Sequence, residues 1–403
     1  MIGSLLLKRL VIIFIVLSSA SLYTLMIFPE SIRNMVELAG VGIILIFLII
    51  DLIYDHSERL KQHFRTEVYL FLLATFLSMF VANAYHQQSF STTLLVQRYM
   101  YFYFFYFLLH SYKMDAEDIE RFMIPLGLLY VLFYLLQYIA FPVKLFDSRV
   151  VEARGTIRIF IPGASFMWIA YFKSLQQYFT SRKGKFLIIC IVFFLVGGIL
   201  QGTRQSFARI VIMTLAFIFF NKEVKSKTFI ISLAGIAGFA LFLLFQEIIM
   251  EFISLTQRQT TSQQPNIRIL AAIFFMTDFM PANIAYILGN GQDSMNEAYG
   301  LRIYFYRVAK GFHQSDIGLI GSYSRFGVLF VIAQLSVLAK LIFGKIHPKI
   351  SYIRYYFISL PFVMFSGTNM FDRPDGIVTL VITLYIVDYY RNLKDNEKKL
   401  GTE

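Results

Sequence analysis

Two kinds of side chain in this sequence could carry out chemistry: a histidine closely followed by an aspartate, and a set of arginines. His313 and Asp316 stand three positions apart at the start of an apolar stretch. On a helix they would share a face, and an imidazole oriented by a carboxylate can act as a general base. Of the six histidines, only His313 lies beside arginines and an acid along the predicted outer segments. A hydrogen-bonded histidine at a membrane interface is the alternative interpretation.

Four arginines lie where an anionic ligand could bind. Arg204 falls in a very short turn between two apolar stretches, where a cation without a partner is costly. Arg268 begins an amphipathic segment, and Arg154 and Arg158 precede another apolar stretch. Because a guanidinium group presents a planar fork of N–H donors, these residues are predicted to bind phosphate oxygens. Helix-end arginines that reach the membrane surface, or a solvated basic loop, are the alternatives.

Four further arginines are secondary candidates for the same role. Arg98 and Arg325 stand inside apolar stretches, where ionisable residues are candidates for function. Arg302 and Arg307 alternate with aromatic residues between Tyr299 and Phe312. Aromatic residues in this arrangement either anchor a segment at the membrane interface or stack against sugar rings.

The sequence carries no pattern of metal or cofactor chemistry. It has no His-Glu-x-x-His pair, no cluster of cysteine and histidine, and no serine nucleophile elbow. The single cysteine, Cys190, stands within an apolar run and is predicted to be a packing residue. We therefore predict neither a metal site nor a cofactor.

The elements that must position these residues are transmembrane helices. Hydrophobic residues make up 57% of the chain and charged residues only 15%, which excludes an ordinary soluble globular protein. About 20 apolar residues cross a bilayer, and about twelve such stretches follow one another. They start near Leu10, Met35, Val68, Leu94, Phe122, Phe160, Phe186, Phe207, Phe229, Ile317, Ile353 and Gly376. The predicted fold is an all-α, polytopic integral membrane protein. Residues 1–403 are treated as one transmembrane domain, and residues 246–316 as one large external, periplasmic loop within it. In that loop, Asn266 to Phe275 has the spacing of an amphipathic helix, and Leu288 to Asp293 is predicted to form a glycine turn.

The distribution of lysine and arginine among the loops predicts the orientation of the chain in the membrane. Lysine-rich loops mark the cytoplasmic side, which places both termini inside. Outside, arginine predominates, and Lys144 and Lys310 are the only lysines there. A net charge of +12 would suggest nucleic acid for a soluble protein, but topology and anionic membrane lipid account for the inner cations. No nucleic-acid partner is predicted.

Several short segments, in this order, resemble the bacterial O-antigen polymerase and ligase superfamily of GT-C-like integral membrane glycosyltransferases. They are Gly202-Thr203-Arg204-Gln205-Ser206, Asn266-x-Arg268, Leu288-Gly289-x-Gly291, and His313-x-x-Asp316-Ile317-Gly318 followed by Phe326-Gly327. The run Ser315-Asp316-Ile317-Gly318 is more similar to the repeat-unit polymerases, since ligases often carry His-Asn at this place.

The resemblance implies an inverting, metal-independent glycosyltransferase on the outer face of the bacterial plasma membrane. Its donor would be an oligosaccharide repeat unit of O-antigen, capsule or exopolysaccharide carried on undecaprenyl pyrophosphate. Arg204 and Arg268, with Arg154 and Arg158, would bind the pyrophosphate. His313, oriented by Asp316, would deprotonate the acceptor hydroxyl. A chain-length regulator and a flippase are the expected partners.

Three other functions stay open. An O-antigen ligase would pass the finished glycan to lipid A core, and one sequence carries little trace of that difference. A peptidoglycan-polymerising transferase is disfavoured because no external aspartate stands in a matching short motif. A lipid-linked oligosaccharide flippase belongs to another class; transporters often show repeated halves with broken helices, and the sequence has no such halves.

Overall fold

The computed structural model describes residues 5–54, 60–153, 156–201, 204–221, 224, 235, 266–364, 367 and 369–400, and the structure is mostly helical, at 78%. The α-helices are Leu5–Ser19 (α1), Glu30–Tyr54 (α2), Arg65–His86 (α3), Phe90–Val96 (α4), Phe105–Tyr112 (α5), Ala116–Ala140 (α6), Ala164–Ser181 (α7), Gly184–Phe194 (α8), Arg204–Phe220 (α9), Ile267–Met276 (α10), Asn283–Leu288 (α11), Ala298–Lys310 (α12), Gly318–Ile342 (α13), Ser351–Ile358 (α14), Pro361–Met364 (α15) and Pro374–Leu400 (α16).

Shorter helical segments connect or extend these helices. The 3₁₀ segments are Ser21–Thr24, Arg98–Phe104, Gln314–Ile317, Pro348–Ile350 and Met370–Asp372, and a π-helical segment spans Leu195–Leu200. Two strands, Arg149–Ala153 (β1) and Thr156–Phe160 (β2), form an antiparallel hairpin with Arg149 opposite Phe160. The hairpin was not anticipated from the sequence, where this basic stretch was interpreted as a loop. Its β-branched residues favour strands.

Among the described residues, four helices are long and apolar enough to cross a bilayer. They are Glu30–Ile53, Arg65–His86, Ala116–Ala140 and Gln314–Ile342. Shorter apolar helices cover Gly184–Gly198, Ile210–Phe220 and Ile267–Met276. These features are consistent with an all-α membrane protein. The twelve spans and the side on which each loop lies stay predictions, and the span expected from Phe229 lies outside the described residues.

Two stretches expected to be single spans are divided in the structure. The stretch from Leu94 becomes α4, a 3₁₀ segment and α5, with Met100 to Tyr103 buried in a run of large aromatic side chains. The stretch from Ile353 ends as α14 and resumes as α15 at Pro361, since proline cannot continue the hydrogen-bond ladder of a helix. Burial and backbone chemistry thus override apolar length at both places.

Helix α16 lies at the centre of the bundle. Its residues from Asp375 to Asp388 are all buried, and α1, α5, α6 and α7 pack around it. A helix that is buried on every side needs apolar residues on every side, as the run from Ile377 to Val387 has. The amino-terminal end of α16 therefore has a fixed position against its neighbours, and the polar residues that precede it are held there.

The outer surface of the bundle is apolar. On α3, Tyr69, Leu73, Phe76 and Phe80 follow helical spacing and are 39% to 57% exposed. The opposite side of α3 packs against α13. An exposed apolar stripe of this length is unfavourable in water, and lipid would cover it.

The described part of the long loop, from residue 266, contains three helices. The amphipathic helix expected at Asn266 to Phe275 is confirmed as α10, and the aromatic segment from Tyr299 forms α12. The Asn266 side chain caps α10 by accepting the Arg268 backbone N–H at 3.0 Å. Phe274, Phe275, Phe279 and Tyr299 form a separate small core between the helices. The part of the loop from 246 to 265 lies outside the described residues.

Candidate functional site

The glycine turn of the long loop is seated on a break in α13. Gly327 has φ +75° and ψ −172° inside α13, so the helix is interrupted there. The N–H groups of Asn290 and Gly291 donate to the carbonyls of Ser324 and Arg325, at 2.9 and 2.8 Å. The loop backbone thus satisfies carbonyl groups that the broken helix leaves open.

Glycine is required on both sides of this contact. A Cβ on Gly327 would overlap the Ile287 carbonyl oxygen, and a Cβ on Gly289 would overlap the Arg325 carbonyl. Both glycines have positive φ, which other residues adopt only with strain. Two of the short segments singled out in the sequence, Leu288-Gly289-x-Gly291 and Phe326-Gly327, are therefore direct neighbours.

His86 links this turn to an arginine of α12. Arg302 Nη2 donates to His86 Nδ1, and His86 Nε2 lies 2.9 Å from Asn290 Oδ1. Because a guanidinium group only donates, Nδ1 must be the acceptor and the proton belongs on Nε2, which donates to Asn290. Asn290 Nδ2 in turn donates to the Ser324 carbonyl at 3.0 Å. The chain Arg302, His86, Asn290 and Ser324 is consistent in every donor and acceptor.

Aromatic rings hold the same histidine. The imidazole stacks on the Tyr299 ring with centroids 4.2 Å apart and on the Phe279 ring at 5.7 Å. The Arg302 guanidinium lies over both aromatic rings, 5.9 Å from Tyr299 and 5.7 Å from Phe279. His86 is 6% exposed, so its ring is held in place by these aromatic rings. Arg302 is exposed and extends from it toward solvent.

A second polar cluster centres on Arg325. Its Nη2 donates to Asp372 Oδ2 at 2.6 Å, Nη1 to Gln292 Oε1 at 3.1 Å, and Nε to the Gly321 carbonyl at 3.2 Å. Ser322 also donates to Asp372. The guanidinium is 9% exposed and its three nitrogens are all used. Arg325 therefore joins α13, the loop and the residues before α16 rather than offering free donors.

The residues before α16 also border a small cavity of about 100 Å³. Asp375 Oδ2 accepts the Gly163 N–H at 3.1 Å and the Ser165 hydroxyl at 2.7 Å. Trp168, Arg373 and Asp375 line the cavity, and the Arg373 side chain is 38% exposed. An indole, a cation and a carboxylate are groups that contact sugars and their phosphates.

Two tyrosines of α6 anchor the backbone just before the arginine turn. The Tyr134 hydroxyl donates to the Leu200 carbonyl at 2.9 Å, and Gln201 Nε2 donates to the Tyr130 hydroxyl at 3.0 Å. Arg204 is the first residue of α9, but its side chain lies outside what the structure describes, as does all of Arg154. Arg158 is half-buried on β2.

His313 and Asp316 stand in and beside the 3₁₀ segment before α13. His313 is its N-terminal flanking residue and is half-buried, and this segment packs against α10, which carries the exposed Arg268. The Asp316 carboxylate accepts the Ser315 hydroxyl at 3.3 Å. Within the described part of the chain, no hydrogen bond joins the His313 ring to Asp316, because His313 precedes the 3₁₀ segment with an extended backbone instead of lying on the expected helix.

The remaining candidate arginines differ in whether a carboxylate partner already binds them. Arg98 donates to Asn34 and forms an ion pair with Glu37 at 3.1 Å. Arg307 is exposed and lies 4.9 Å from the centre of the Tyr304 ring. Arg98 thus resembles Arg325 in having a carboxylate partner, whereas Arg302 and Arg307 present exposed cations on α12.

Comparison with known proteins adds no relative to this geometry. No family model, no curated protein and no solved structure gives a significant match to the chain. The residues themselves therefore carry the functional argument.

Burial changes the ionisation of one acid at this site. Asp293 follows Gln292, whose Nε2 donates to its Oδ1 at 2.9 Å. Burial raises the pKa of Asp293 above its ordinary value, while the cations Arg325 and Arg307 act in the opposite direction. Among the described residues, no group of three or more His, Cys, Asp or Glu side chains could hold a metal ion.

Sequence reasoning missed His86, Asp372 and Gln292. The expectation that His313 is the only histidine beside arginines and an acid does not account for His86, which accepts a hydrogen bond from Arg302. The three residues carry no motif of their own. The dense run of charge in Asp372-Arg373-Pro374-Asp375, directly before a long apolar helix, is the one sequence signal that could have pointed to Asp372.

Proposed function

We propose that this protein is an inverting glycosyltransferase of the bacterial plasma membrane that polymerises oligosaccharide repeat units carried on undecaprenyl pyrophosphate. The observation that carries the proposal is the seating of Leu288 to Gly291 on the α13 break at Gly327. Leu288 to Gly291 and Phe326-Gly327 are two of the segments that together resemble the polymerase superfamily, and they meet there in one contact. Such a contact gives an external site the fixed geometry that catalysis needs.

The proposed chemistry is a single displacement. The acceptor hydroxyl oxygen attacks the anomeric carbon of the donor, and the bond from that carbon to the pyrophosphate oxygen breaks with its electron pair leaving on the pyrophosphate. The proton of the hydroxyl passes to His313. Inversion at the anomeric carbon follows from one displacement, and arginines in place of a metal ion stabilise the growing negative charge.

The contacts divide the arginines between two roles. Arg325 and Arg98 each have a carboxylate partner, so we assign them to holding the fold. Arg204 and Arg268, with Arg154 and Arg158, stay as the proposed pyrophosphate ligands. Arg268 is supported by its helix packing beside the segment that carries His313. Exposed Arg302 and Arg307 are suited to the sugar chain or the outer phosphate.

The geometry also refines the proposed base. His313 is half-buried and Asp316 does not hydrogen-bond to it. We therefore propose His313 alone as the base in the resting protein, and Asp316→Asn should retain more activity than His313→Ala. Loss of activity in Asp316→Asn as large as in His313→Ala would assign the carboxylate an equal part.

The test is complementation of a strain that lacks the protein, with separation of surface glycans and lipid-linked intermediates by gel. Wild type should restore the polymer ladder, while Arg268→Lys and His313→Ala should leave single repeat units. Arg182→Lys and His347→Ala, on the face predicted to be cytoplasmic, are the matched controls and should restore the ladder.

The same gel separates the other functions. A ladder that persists on the lipid carrier without reaching its acceptor would indicate a ligase. Lipid-linked repeat units trapped in the inner leaflet would indicate a flippase. An unchanged glycan pattern in the deletion strain would contradict the proposal.

A further inference from the structure

A second cavity lies at the opposite end of the helices from the candidate site. It encloses about 760 Å³, within the range of about 300 to 1,000 Å³ that is typical of ligand pockets. It lies where α6 begins, α7 ends and α8 begins, so it is at one membrane face. The loop lysines predict that this face is cytoplasmic.

The floor of the cavity is a neutral pair that the protein satisfies internally. Lys173 is 5% exposed and donates to the Glu120 carbonyl, and its Nζ is 3.5 Å from Glu120 Oε1. The hydroxyls of Tyr352 and Tyr390 donate to the two carboxylate oxygens of Glu120, at 2.8 and 3.2 Å. Glu120 therefore has no remaining need for a bound cation, and Lys173 contributes no net charge to a ligand.

The rim of the cavity is cationic. Arg121, Lys185 and Lys349 line it and are exposed. Arg121 lies 3.4 Å from Asp118, and Lys349 lies 3.7 Å from Glu117. Because Arg121 is 73% exposed, and Lys349 and Glu117 are both more than half exposed, ion pairs of this kind contribute little. Lys185 has no carboxylate within ion-pair distance among the described residues. The rim thus carries more positive charge than its acids offset.

One wall of the same cavity is apolar and continues into the lipid-facing surface. Ile124 of α6 and Phe186 and Ile189 of α8 line it and are half-buried. Beside them on α8, Ile188 and Ile191 are at least 50% exposed, as expected of residues that contact lipid tails. A ligand here would have a negatively charged head at the rim and an apolar part along α8.

The side-chain oxygen of Gln177 narrows the choice of head group. It is buried at the cavity and accepts no hydrogen bond from the described residues. A buried acceptor without a partner is unfavourable, so a ligand that brings a hydroxyl donor would be preferred. A phosphodiester with a free hydroxyl fits the cations and this acceptor together.

We propose that this cavity binds an anionic phospholipid of the phosphatidylglycerol type. Lys185 and Lys349 contact its phosphate, the Gln177 side-chain oxygen accepts from its glycerol hydroxyl, and its acyl chain lies along Ile189. Basic pockets between transmembrane helices are a recurrent way to bind such head groups. The proposal does not depend on the enzymatic activity proposed above.

The test is direct binding to the full-length protein in a neutral detergent. The probes are short-chain phosphatidylglycerol, phosphatidylcholine of the same chain length, and inorganic phosphate. The test variant is Lys185→Gln/Lys349→Gln. The control is Lys183→Gln/Lys345→Gln, which removes the same charge from the same two loops at exposed residues that do not line the cavity.

Wild type and the control should bind phosphatidylglycerol equally, and the test variant should bind it about tenfold or more weakly. Each of the two lysines near the lipid phosphate is expected to contribute up to about tenfold in affinity. Equal weakening in both double variants would mean a general surface attraction and would overturn the proposal. If the test variant does not fold, the comparison of the three probes on the wild-type protein still tests the proposal. Equal affinity for phosphatidylcholine, or inorganic phosphate bound as tightly as the lipid, would overturn the lipid site.

Discussion

Arg325 and Asp372 form a buried ion pair across the bundle, with Nη2 and Oδ2 2.6 Å apart. Arg325 belongs to α13 and Asp372 to the turn before the central helix α16. Gln292 of the long loop and Ser322 complete the hydrogen bonds of the pair. The pair thus connects the membrane bundle to the loop that carries the candidate site.

Removal of one partner should destabilise the protein strongly. Arg325→Met leaves Asp372 buried without a cation, a change that costs about 3 to 5 kcal/mol in buried pairs. Arg121→Met is the control, because Arg121 is 73% exposed and lies 3.4 Å from Asp118, which keeps its closer partner Arg9, and such pairs are worth less than about 1 kcal/mol. The measurement is unfolding in detergent micelles.

The double variant Arg325→Met/Asp372→Asn tests whether the unpaired Asp372 carboxylate causes the loss of stability. It removes both charges, so it should recover part of the stability that Arg325→Met loses. If Arg325→Met unfolds no more easily than Arg121→Met, the pair does not hold the loop to the bundle.

The sequence predicted the elements that depend on local pattern. The amphipathic spacing from Asn266 specified α10, and the glycines at 289 and 291 predicted a turn. Neither pattern indicates that the turn lies on Gly327, because that contact depends on how α13 and the loop pack. Periodicity describes one segment at a time, and contacts between segments require the fold.

Residues whose partners are distant in sequence escaped prediction for the same reason. His86 lies 216 positions from Arg302, and Arg325 lies 47 positions from Asp372. The apolar stretch from Leu94 changes from an α-helix to a 3₁₀ segment at Arg98 to Phe104, where large aromatic side chains are buried. Apolar length predicts that a stretch is buried, but does not predict where its helix is interrupted.

Gly327→Ala should destabilise the contact between α13 and the loop. The backbone conformation at Gly327, φ +75° and ψ −172°, costs a non-glycine residue about 1 to 3 kcal/mol. Overlap of the new Cβ with the Ile287 carbonyl would add to that cost. Thermal unfolding and limited proteolysis of residues 266–312 measure the effect.

The control for that change is Gly42→Ala. Gly42 lies within α2, and a Cβ there meets no atom within 4 Å. This substitution should stabilise the protein by about 0.5 to 1 kcal/mol, because alanine favours a helix more than glycine does. Equal effects of the two substitutions would show that the Gly327 conformation is not required.

His86→Phe should separate stacking from hydrogen bonding. Phenylalanine keeps a flat ring against Tyr299 but can form neither hydrogen bond of the imidazole. Asn290 Oδ1 and the Arg302 guanidinium therefore each lose a hydrogen bond. An unsatisfied buried acceptor costs about 1 to 3 kcal/mol. His347→Phe keeps the stack on Tyr390 but loses the 3.3 Å hydrogen bond that His347 Nδ1 accepts from the Lys349 N–H at an exposed site. It is the control and should cost about 1 kcal/mol or less, and less than His86→Phe.

The double-mutant cycle with Arg302→Met tests the link itself. If the hydrogen bond from Arg302 to His86 matters, Arg302→Met should cost less in the His86→Phe background than in wild type. Additive effects of the two substitutions would mean that Arg302 is held by its aromatic contacts alone.

Asp293→Asn should stabilise the protein more at neutral pH than in acid. Burial raises the pKa of Asp293 in the folded protein above its value in the unfolded chain. The folded state therefore favours the protonated carboxyl, and the stability that this provides is present at low pH and is lost as pH rises through the folded pKa. Asparagine resembles the protonated acid at every pH, so its advantage should grow from pH 4 to pH 8 in thermal unfolding. The exposed Asp278→Asn controls for the loss of one negative charge from the same loop. An advantage of Asp293→Asn that stays constant or shrinks as pH rises would contradict the assignment of the buried acid.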